Sequence, residues 1–527
     1  MKKGKVLFLG LAVLLLVTLA LAGCGGGKTT DGQASKPAEK ILVYARGADP
    51  RGLDPAYVDD GESAKVIVNI YENLVQYKPN STDIEPGLAT EWSSSEDGKV
   101  WTFKLRQGVK FHDGTPFNAQ AVKFSVERQL PPNLNDDMPY ATFTFGPVDK
   151  VEAADEYTVK FYLKEPYAPF LANLAMSLSA PIVSPAAVQK FGADFNQNPV
   201  GTGPFKFVKW EKDQQIVLEA NKDYWGEKPK VDKVVFKVTK ENSVRASELI
   251  SGAVDIIDGV DPNDVKKLED SGLKVLKAPG MNINYMGFFT HKKPFNDPKL
   301  RQAVSMAVNR KDLVDFLYQG MAKLANGPLP DFMPGYAADL KPYEYNPEDA
   351  KKLMAEAGYP NGMKVKMITY VNPRPYNAVG GEKLAAAIQA DLLKIGIQTE
   401  IVPYQWVEYK QAVKQGEGDL FFYGWIGDNG DPDNFLYALL SSFEIESTLN
   451  SAKYSNKQVD DLLVQAQRTS KPEERNKLYH QAQEIILQDA PWVFISHGVD
   501  MAATTKNISG YQLHPTGVYP LKGVTKQ

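Results

Sequence analysis

The chain alternates short β-patterned runs with longer stretches in which apolar positions recur every three or four residues. Ile41-Leu42-Val43-Tyr44 is a β-rich run closed by Gly47 and Pro50. From Ala64 to Tyr77 the residues Val66, Ile67, Ile70, Tyr71 and Leu74 keep helical spacing, which predicts a helix over that whole span. Val100 to Leu105 alternates, with Trp101, Phe103 and Leu105 on one face, behind the turn Ser95-Glu96-Asp97-Gly98. Two later helices open alike, at Asp297-Pro298 and Asn346-Pro347. A capping side chain there precedes a proline whose missing N–H costs nothing at the first helical position. The first runs through Ala307, and Gly358 closes the second as a left-handed cap. Val365 to Tyr370 reads as a strand, followed by an Ala-rich helix to Lys394, a stop at Gly396 and a strand from Ile397 to Val402. That is a βαβ-like unit, and a further helix leads to a strand from Leu420 to Gly424. Two helices, near 456–467 and 472–487, precede a β run from Trp492 to Ile495. The pattern predicts a mixed α/β protein of several lobes and by itself names no function.

The N-terminus changes the picture. Lys2, Lys3 and Lys5 precede a charge-free, mostly apolar stretch from Val6 to Ala22, followed by Leu21-Ala22-Gly23-Cys24. The stretch falls short of the roughly 20 apolar residues of a spanning helix, and its flanks are those of a cleaved signal peptide. The tetrapeptide resembles a bacterial lipobox, which implies lipidation of Cys24. An uncleaved membrane anchor is the alternative. Cys24 is the only cysteine in the chain, so no intramolecular disulfide can form, and a lone thiol suits acylation better than an oxidising compartment. The polar segment that follows, residues 24–40, reads as a flexible tether. Gly27-Lys28-Thr29 lacks the earlier glycine, strand and helix of a phosphate loop.

Loss of a leader over residues 1–23 would take the formal charge from −4 to −7, which argues against nucleic acid as a partner. The chain carries 25 Tyr, 24 Phe and 7 Trp, suited to large cores and stacking pockets. His112, His291, His480, His497 and His514 are scattered, and no HExxH, Cys/His cluster or GxSxG occurs. Neither a metal site nor a hydrolase of the usual kind is signalled, and no cofactor is expected.

Several ordered segments carry a resemblance. They are Gly87-Leu88-Ala89-Thr90-Glu91-Trp92, then Asp97 to Phe103, then Leu105 to Gly114, then Val200-Gly201-Thr202-Gly203-Pro204-Phe205, Asn221-Lys222-Asp223-Tyr224-Trp225, and Phe295-Asn296-Asp297 through Ala303. Together they resemble the family 5 extracellular solute-binding proteins, the dipeptide, oligopeptide and nickel receptors of ABC importers. The resemblance covers nearly all of the chain. One departure is Ala121, where the family usually has Asp, read here as a lost helix-start cap. Physically, Gly98 and Gly108 serve turns, Trp101, Phe103 and Tyr224-Trp225 are packing, and the neighbours His112-Asp113 do not amount to a catalytic dyad.

The resemblance is closest to dipeptide-binding members at Tyr423 to Phe435 and at Pro373-Arg374-Pro375-Tyr376-Asn377. It implies that Asp428 receives a peptide's α-ammonium and Arg374 its carboxylate, with the spacing between them one residue longer through Gly380-Gly381. The chemistry agrees: a zwitterion can be buried only where each charge meets a hydrogen-bonded counter-charge. Backbone groups at Gly424-Trp425 could pair with an extended ligand, with Trp425 and Tyr376 as pocket walls. Gly61, in the loop Asp60-Gly61-Glu62, is a further candidate for the opposite wall. The competing readings stay open at this point: Asp428 as an Asx-turn residue, the acids of 428–433 as a calcium loop, and Arg374 as a solvated loop charge.

The resemblance implies a two-lobed, hinged binding protein of the periplasmic type (class II, the large three-domain variant) with a ligand cleft between lobes. The expected division is residues 41–80, 200–287 and 491–527 for the first lobe, an inserted domain at 81–199, and 288–490 for the second lobe. It further implies a lipid-anchored, extracytoplasmic, non-enzymatic monomer whose partners are a small peptide and importer permease subunits. A nickel–chelator complex or another small solute is the alternative within the fold, and a surface hydrolase the alternative outside it.

Overall fold

The computed structural model describes residues 39–527 other than Tyr519. The leader at 1–23, Cys24 and all but the end of the tether lie outside the described residues. Among the described residues, one sheet of twelve strands runs through the molecule. At one end the strands Ile397–Tyr404, Met363–Tyr370, Leu420–Ile426 and Asn282–Phe288 lie side by side. At the other, Ile256–Asp258, Ile41–Arg46, Lys233–Val238, Gln215–Ala220 and Phe205–Glu211 do the same. The long strand Trp492–Thr504 joins the halves: it pairs with Asn282–Phe288 over 492–496 and with Lys274–Pro279 over 499–504.

The apolar residues collect into separate cores. A first core gathers residues between Met281 and Ile495, including Tyr285 and Trp492, whose rings stack 3.7 Å apart. A second is built from Leu42, Ile67, Phe236, Ile256 and Leu521. A third, with Leu88, Phe103, Phe161 and Phe170, lies under a four-stranded antiparallel sheet of Ala89–Ser94, Val100–Leu105, Thr158–Leu163 and Val148–Asp155. The chain passes between the first and second cores at Gly280 and at Gly498. The Gly280 N–H donates to the Gly498 carbonyl (2.9 Å), and the Gly498 N–H to Asn282 Oδ1 (2.6 Å). A Cβ on Gly280 would lie 2.9 Å from that carbonyl, so the two crossings touch only because a side chain is missing.

The helix caps follow the sequence. Asp297 accepts from the Lys299 N–H, Asn346 accepts from the Asp349 N–H, and Gly358 has φ +92°. Three expectations need correction. The helix predicted over 64–77 is Gly61–Ile70, and Val75–Tyr77 is a strand paired with Ile84–Pro86. The Gly203 N–H takes the Ile70 carbonyl (2.9 Å), and a Cβ on Gly201 would lie 2.2 Å from that oxygen, so tertiary contacts end the helix against its apolar spacing. The cap thought lost at Ala121 is supplied by Asn118, which accepts from the N–H groups of Gln120 and Ala121. The strand predicted to stop at Ile495 continues through His497, Gly498 and Asp500, where passage between cores breaks the apolar run. Among the described residues no helix is long and apolar enough to cross a membrane.

Candidate functional site

The strands Ile397–Tyr404, Met363–Tyr370 and Leu420–Ile426 are parallel, so their carboxyl ends point the same way. Ligands of open α/β sheets bind beyond such ends. The loop after Met363–Tyr370 carries Arg374 and Tyr376, the loop after Ile397–Tyr404 leads to Trp406, and the loop after Leu420–Ile426 carries Asp428. One edge of the fold therefore gathers a cation, a carboxylate and aromatic rings.

Arg374 sits in a tight turn. Its N–H donates to the Asn377 carbonyl (3.0 Å) and its carbonyl accepts from the Asn377 N–H (2.8 Å). Asn377 is fixed in turn, donating to the Tyr370 hydroxyl (2.9 Å) and accepting from the Tyr318 hydroxyl (2.9 Å). The Arg374 guanidinium lies 3.5 Å from the centroid of the Trp406 ring, which packs against Tyr370, Tyr409 and Tyr423. Arg374 Nε is buried without a hydrogen-bond partner among the described residues. The side chain is thus held flat on an aromatic face with donors to spare, unlike a loop charge waving in solvent. A Cβ on Gly381 would lie 2.4 Å from Thr369 Oγ1 where Gly381–Leu393 meets the sheet, so that position keeps a glycine.

Gly424 lets Tyr376 in. A Cβ there would lie 2.3 Å from Tyr376 Cδ2 and 2.5 Å from the Ile283 carbonyl, and Tyr376 is buried as a result. Leu420–Ile426 pairs with Met363–Tyr370 only at Leu420 and Phe421, so its far stretch has an edge free of strand pairing. At Phe422 the Tyr409 hydroxyl receives the N–H (2.9 Å) and donates to the carbonyl. Backbone groups alternate sides along a strand, so those of Gly424 face the same free edge. Gly427, facing the other way, donates its N–H to the Met281 carbonyl (2.7 Å).

Asp428 is partly buried, and burial pushes its pKa above the ordinary carboxylate range, opposed by hydrogen bonds from Tyr140 and Asn434. The Tyr140 hydroxyl donates to Oδ1 (2.6 Å) and Asn434 Nδ2 to Oδ2 (3.3 Å). Asn434 Oδ1 accepts from the Asp428 N–H (2.9 Å) and from Trp425 Nε1 (2.9 Å), tying the half-buried Trp425 to the carboxylate. The neighbouring acids diverge. Asp431 is spent in a two-pronged pair with Arg475 (2.8 Å each). Asp433 meets Gln467 (3.1 Å) and Tyr167 (3.4 Å), and burial together with Asp431 pushes its pKa up to about 7. Among the described residues no cluster of three or more His, Cys, Asp or Glu could hold a metal ion.

Gly61 begins the helix Gly61–Ile70 behind the Asp60 cap and is exposed, with open space where a side chain would be. No hydrogen bond joins it to Arg374 or Asp428 among the described residues. Two residues earlier, Asp59 faces Tyr140 and raises its pKa, after burial and Asp428. His112 and Asp113 have separate partners, the Gly203 carbonyl (2.9 Å) and Ser184 (2.6 Å). Trp406, Asn434 and Tyr140 escaped the sequence reading. Trp406 could have been found two residues past a strand end, but nothing local marks Tyr140, which meets a residue 288 positions away.

The chain is similar to known proteins over nearly its whole length. The family described as bacterial extracellular solute-binding proteins, family 5 Middle, matches residues 83–447. The chain is 36% identical over 511 residues to the dipeptide-binding protein of Escherichia coli (strain K12), covering 92% of this chain and 94% of that one. It is 36% identical over 550 residues to heme-binding protein A of Haemophilus influenzae, covering 100% and 99%. An ABC transporter-associated periplasmic binding protein of Helicobacter pylori, solved in complex with the peptide STSA, superposes with a TM-score of 0.76 at 38% identity over 92% of this chain and 98% of that one. With its sequence matched over 92–100% of its length and its fold over 92%, this chain belongs to the bacterial extracellular solute-binding proteins of family 5.

Proposed function

We propose that this chain is the substrate-binding lipoprotein of an ABC importer and captures a dipeptide or short oligopeptide through its two charged ends. One observation carries the reading: Asp428 and Arg374 stand on loops at the same end of three parallel strands, each fixed by its neighbours with hydrogen-bonding capacity unspent. Asp428 receives the ammonium, and Arg374 offers the planar fork that matches a carboxylate. The free edge at Gly424 takes backbone groups of an extended ligand, while Tyr376 and Trp425 wall its side chains. Gly61 belongs to the opposite wall, across the cleft. The lobe bounds expected at 287/288 and 490/491 move to the crossings, because Met281–Phe288 and Trp492–Ile495 belong to the first core: residues 41–80, 200–280 and 498–527 form one lobe, carrying 81–199 as an inserted domain, and 281–497 form the other. They close about the crossings at Gly280 and Gly498, and ligand favours closure by its greater affinity for the closed state. No bond is made or broken, and no metal or cofactor takes part. Acylation of Cys24 keeps the monomeric receptor close to its permease, at a high effective concentration.

The similarity to a heme-binding protein makes another small solute the second reading. Calorimetric titration with dipeptides, tripeptides, hemin and nickel with free histidine separates the two. Dipeptides are expected to bind one to one, at about 1 μM or tighter. Heat from hemin or the nickel complex, with none from peptides, would replace the peptide reading. Release of free amino acids during incubation would show an enzyme instead.

A further inference from the structure

The loop that carries Asp428 belongs to the first core, yet it is docked on segments that pack on the second and third, with Tyr140 on the second and Tyr77 on the third. Beside the Tyr140–Asp428 bond, Asn429 Nδ2 donates to Asn173 Oδ1 (2.6 Å), and the Gly430 N–H reaches the Tyr77 hydroxyl (3.4 Å). A Cβ on Gly430 would lie 2.1 Å from the Thr82 Cβ, so the close approach depends on that glycine. Packing alone would have been served by apolar contacts. Instead the segment on the second core aims a hydroxyl at the carboxylate.

We propose that Tyr140 is a positioning residue of the binding site, reaching from a separate core to fix the Asp428 carboxylate for a ligand's ammonium group. The inference rests on the reading of Asp428 given above. With Tyr140 on Oδ1 and Asn434 on Oδ2, the carboxylate plane cannot turn, and its remaining lone pairs keep one direction. The same bond favours the charged form. Burial drives Asp428 toward holding its proton, and a donated O–H counters this. Tyr140 stays a donor, because burial and Asp428 raise its own pKa. The other groups facing the carboxylate are Tyr77 on the third core and Asp59, which faces Tyr140. On its own loop Asp431 is neutralised by Arg475.

The test is calorimetric titration of the full chain with alanylphenylalanine from about pH 4.5 to about pH 8, for wild type, Tyr140→Phe and Asp428→Asn. Tyr140→Phe is expected to raise Kd roughly tenfold at neutral pH, the loss of one hydrogen bond to a charged group. The acid limb, below which affinity falls, should also move to higher pH, which loosened docking alone would not do. An unchanged Kd, or a raised Kd with the acid limb in its wild-type place, overturns the inference. If Asp428→Asn binds like wild type, the ammonium reading falls and takes Tyr140 with it. If Asp428→Asn loses binding while Tyr140→Phe keeps the wild-type profile, only the role of Tyr140 falls.

Discussion

Glu72 and Asp428 are both carboxylates whose pKa burial pushes upward, and their surroundings differ in one respect. Glu72 Oε1 accepts from the Tyr224 hydroxyl (2.6 Å), and Oε2 accepts from Trp225 Nε1 (2.8 Å) and Thr202 Oγ1 (2.8 Å). Those donors come from the segments that carry the family resemblance, Val200 to Phe205 and Asn221 to Trp225. The Arg106 guanidinium lies 4.2 Å from the Trp225 ring centroid and backs the cluster. Asp428 has two donors, one of them at 3.3 Å. A carboxylate offers about four acceptor positions. Glu72 is close to saturated by its own protein, and Asp428 is held in place with capacity left for a guest. The segments that name the family build the scaffold, and the ligand chemistry stands where satisfaction is incomplete.

Exchanging either carboxylate should therefore do opposite things. Asp428→Asn is expected to raise the Kd for a dipeptide by about a hundredfold or more, since it removes one of two counter-charges in a partly buried site. Its melting temperature should change little. A variant that binds well but melts early would make Asp428 a second Glu72. Glu72→Ala leaves three donors without their acceptor and is expected to cost about 2–4 kcal/mol of stability, read by urea unfolding. Folded Glu72→Ala should keep dipeptide affinity within about threefold, its contacts being independent of the site. Loss of affinity with stability intact would end the contrast.

A smaller effect tests a third carboxylate. Asp433 has an ordinary pKa of 3.8 and about 7 in the fold, and its Oδ1 is buried without a partner among the described residues. The folded state binds that proton more tightly than the unfolded chain does. Its contribution to stability is therefore complete below about pH 4 and is lost as pH rises towards about 7. Asp433→Asn should flatten that slope and raise the melting temperature at pH 8 relative to wild type. A melting temperature at pH 8 lower than wild type would show that the charged form is the one the fold prefers.

The legible parts of this chain were those settled by neighbours in sequence. Asp297 and Asn346 cap the helices their Pro residues announced, and the βαβ run from Val365 to Val402 folds as its periodicity predicts. The illegible parts were settled by distant residues. Apolar spacing carried the helix from Ala64 past Tyr71, but the distant Gly201 and Gly203 end it at Ile70, and Glu72 turns to meet donors 130 to 153 positions away. In the candidate site, Arg374 and Asp428 were visible through resemblance to relatives. Trp406 beneath one and Tyr140 against the other depend on strand order and on the docking of one core upon another, which periodicity cannot express. Gly424 was singled out for its backbone, and its missing side chain also makes room for Tyr376.

The central claim, that both ends of a peptide are read by charge, is tested most directly by changing the peptide. Wild-type protein would be titrated by calorimetry with alanylphenylalanine, its N-acetyl form and its C-terminal amide under one condition. Recognition by Asp428 and Arg374 predicts one-to-one binding of the free dipeptide and at least about a hundredfold weaker binding of each capped form. Equal binding of all three, or binding of none, would contradict it.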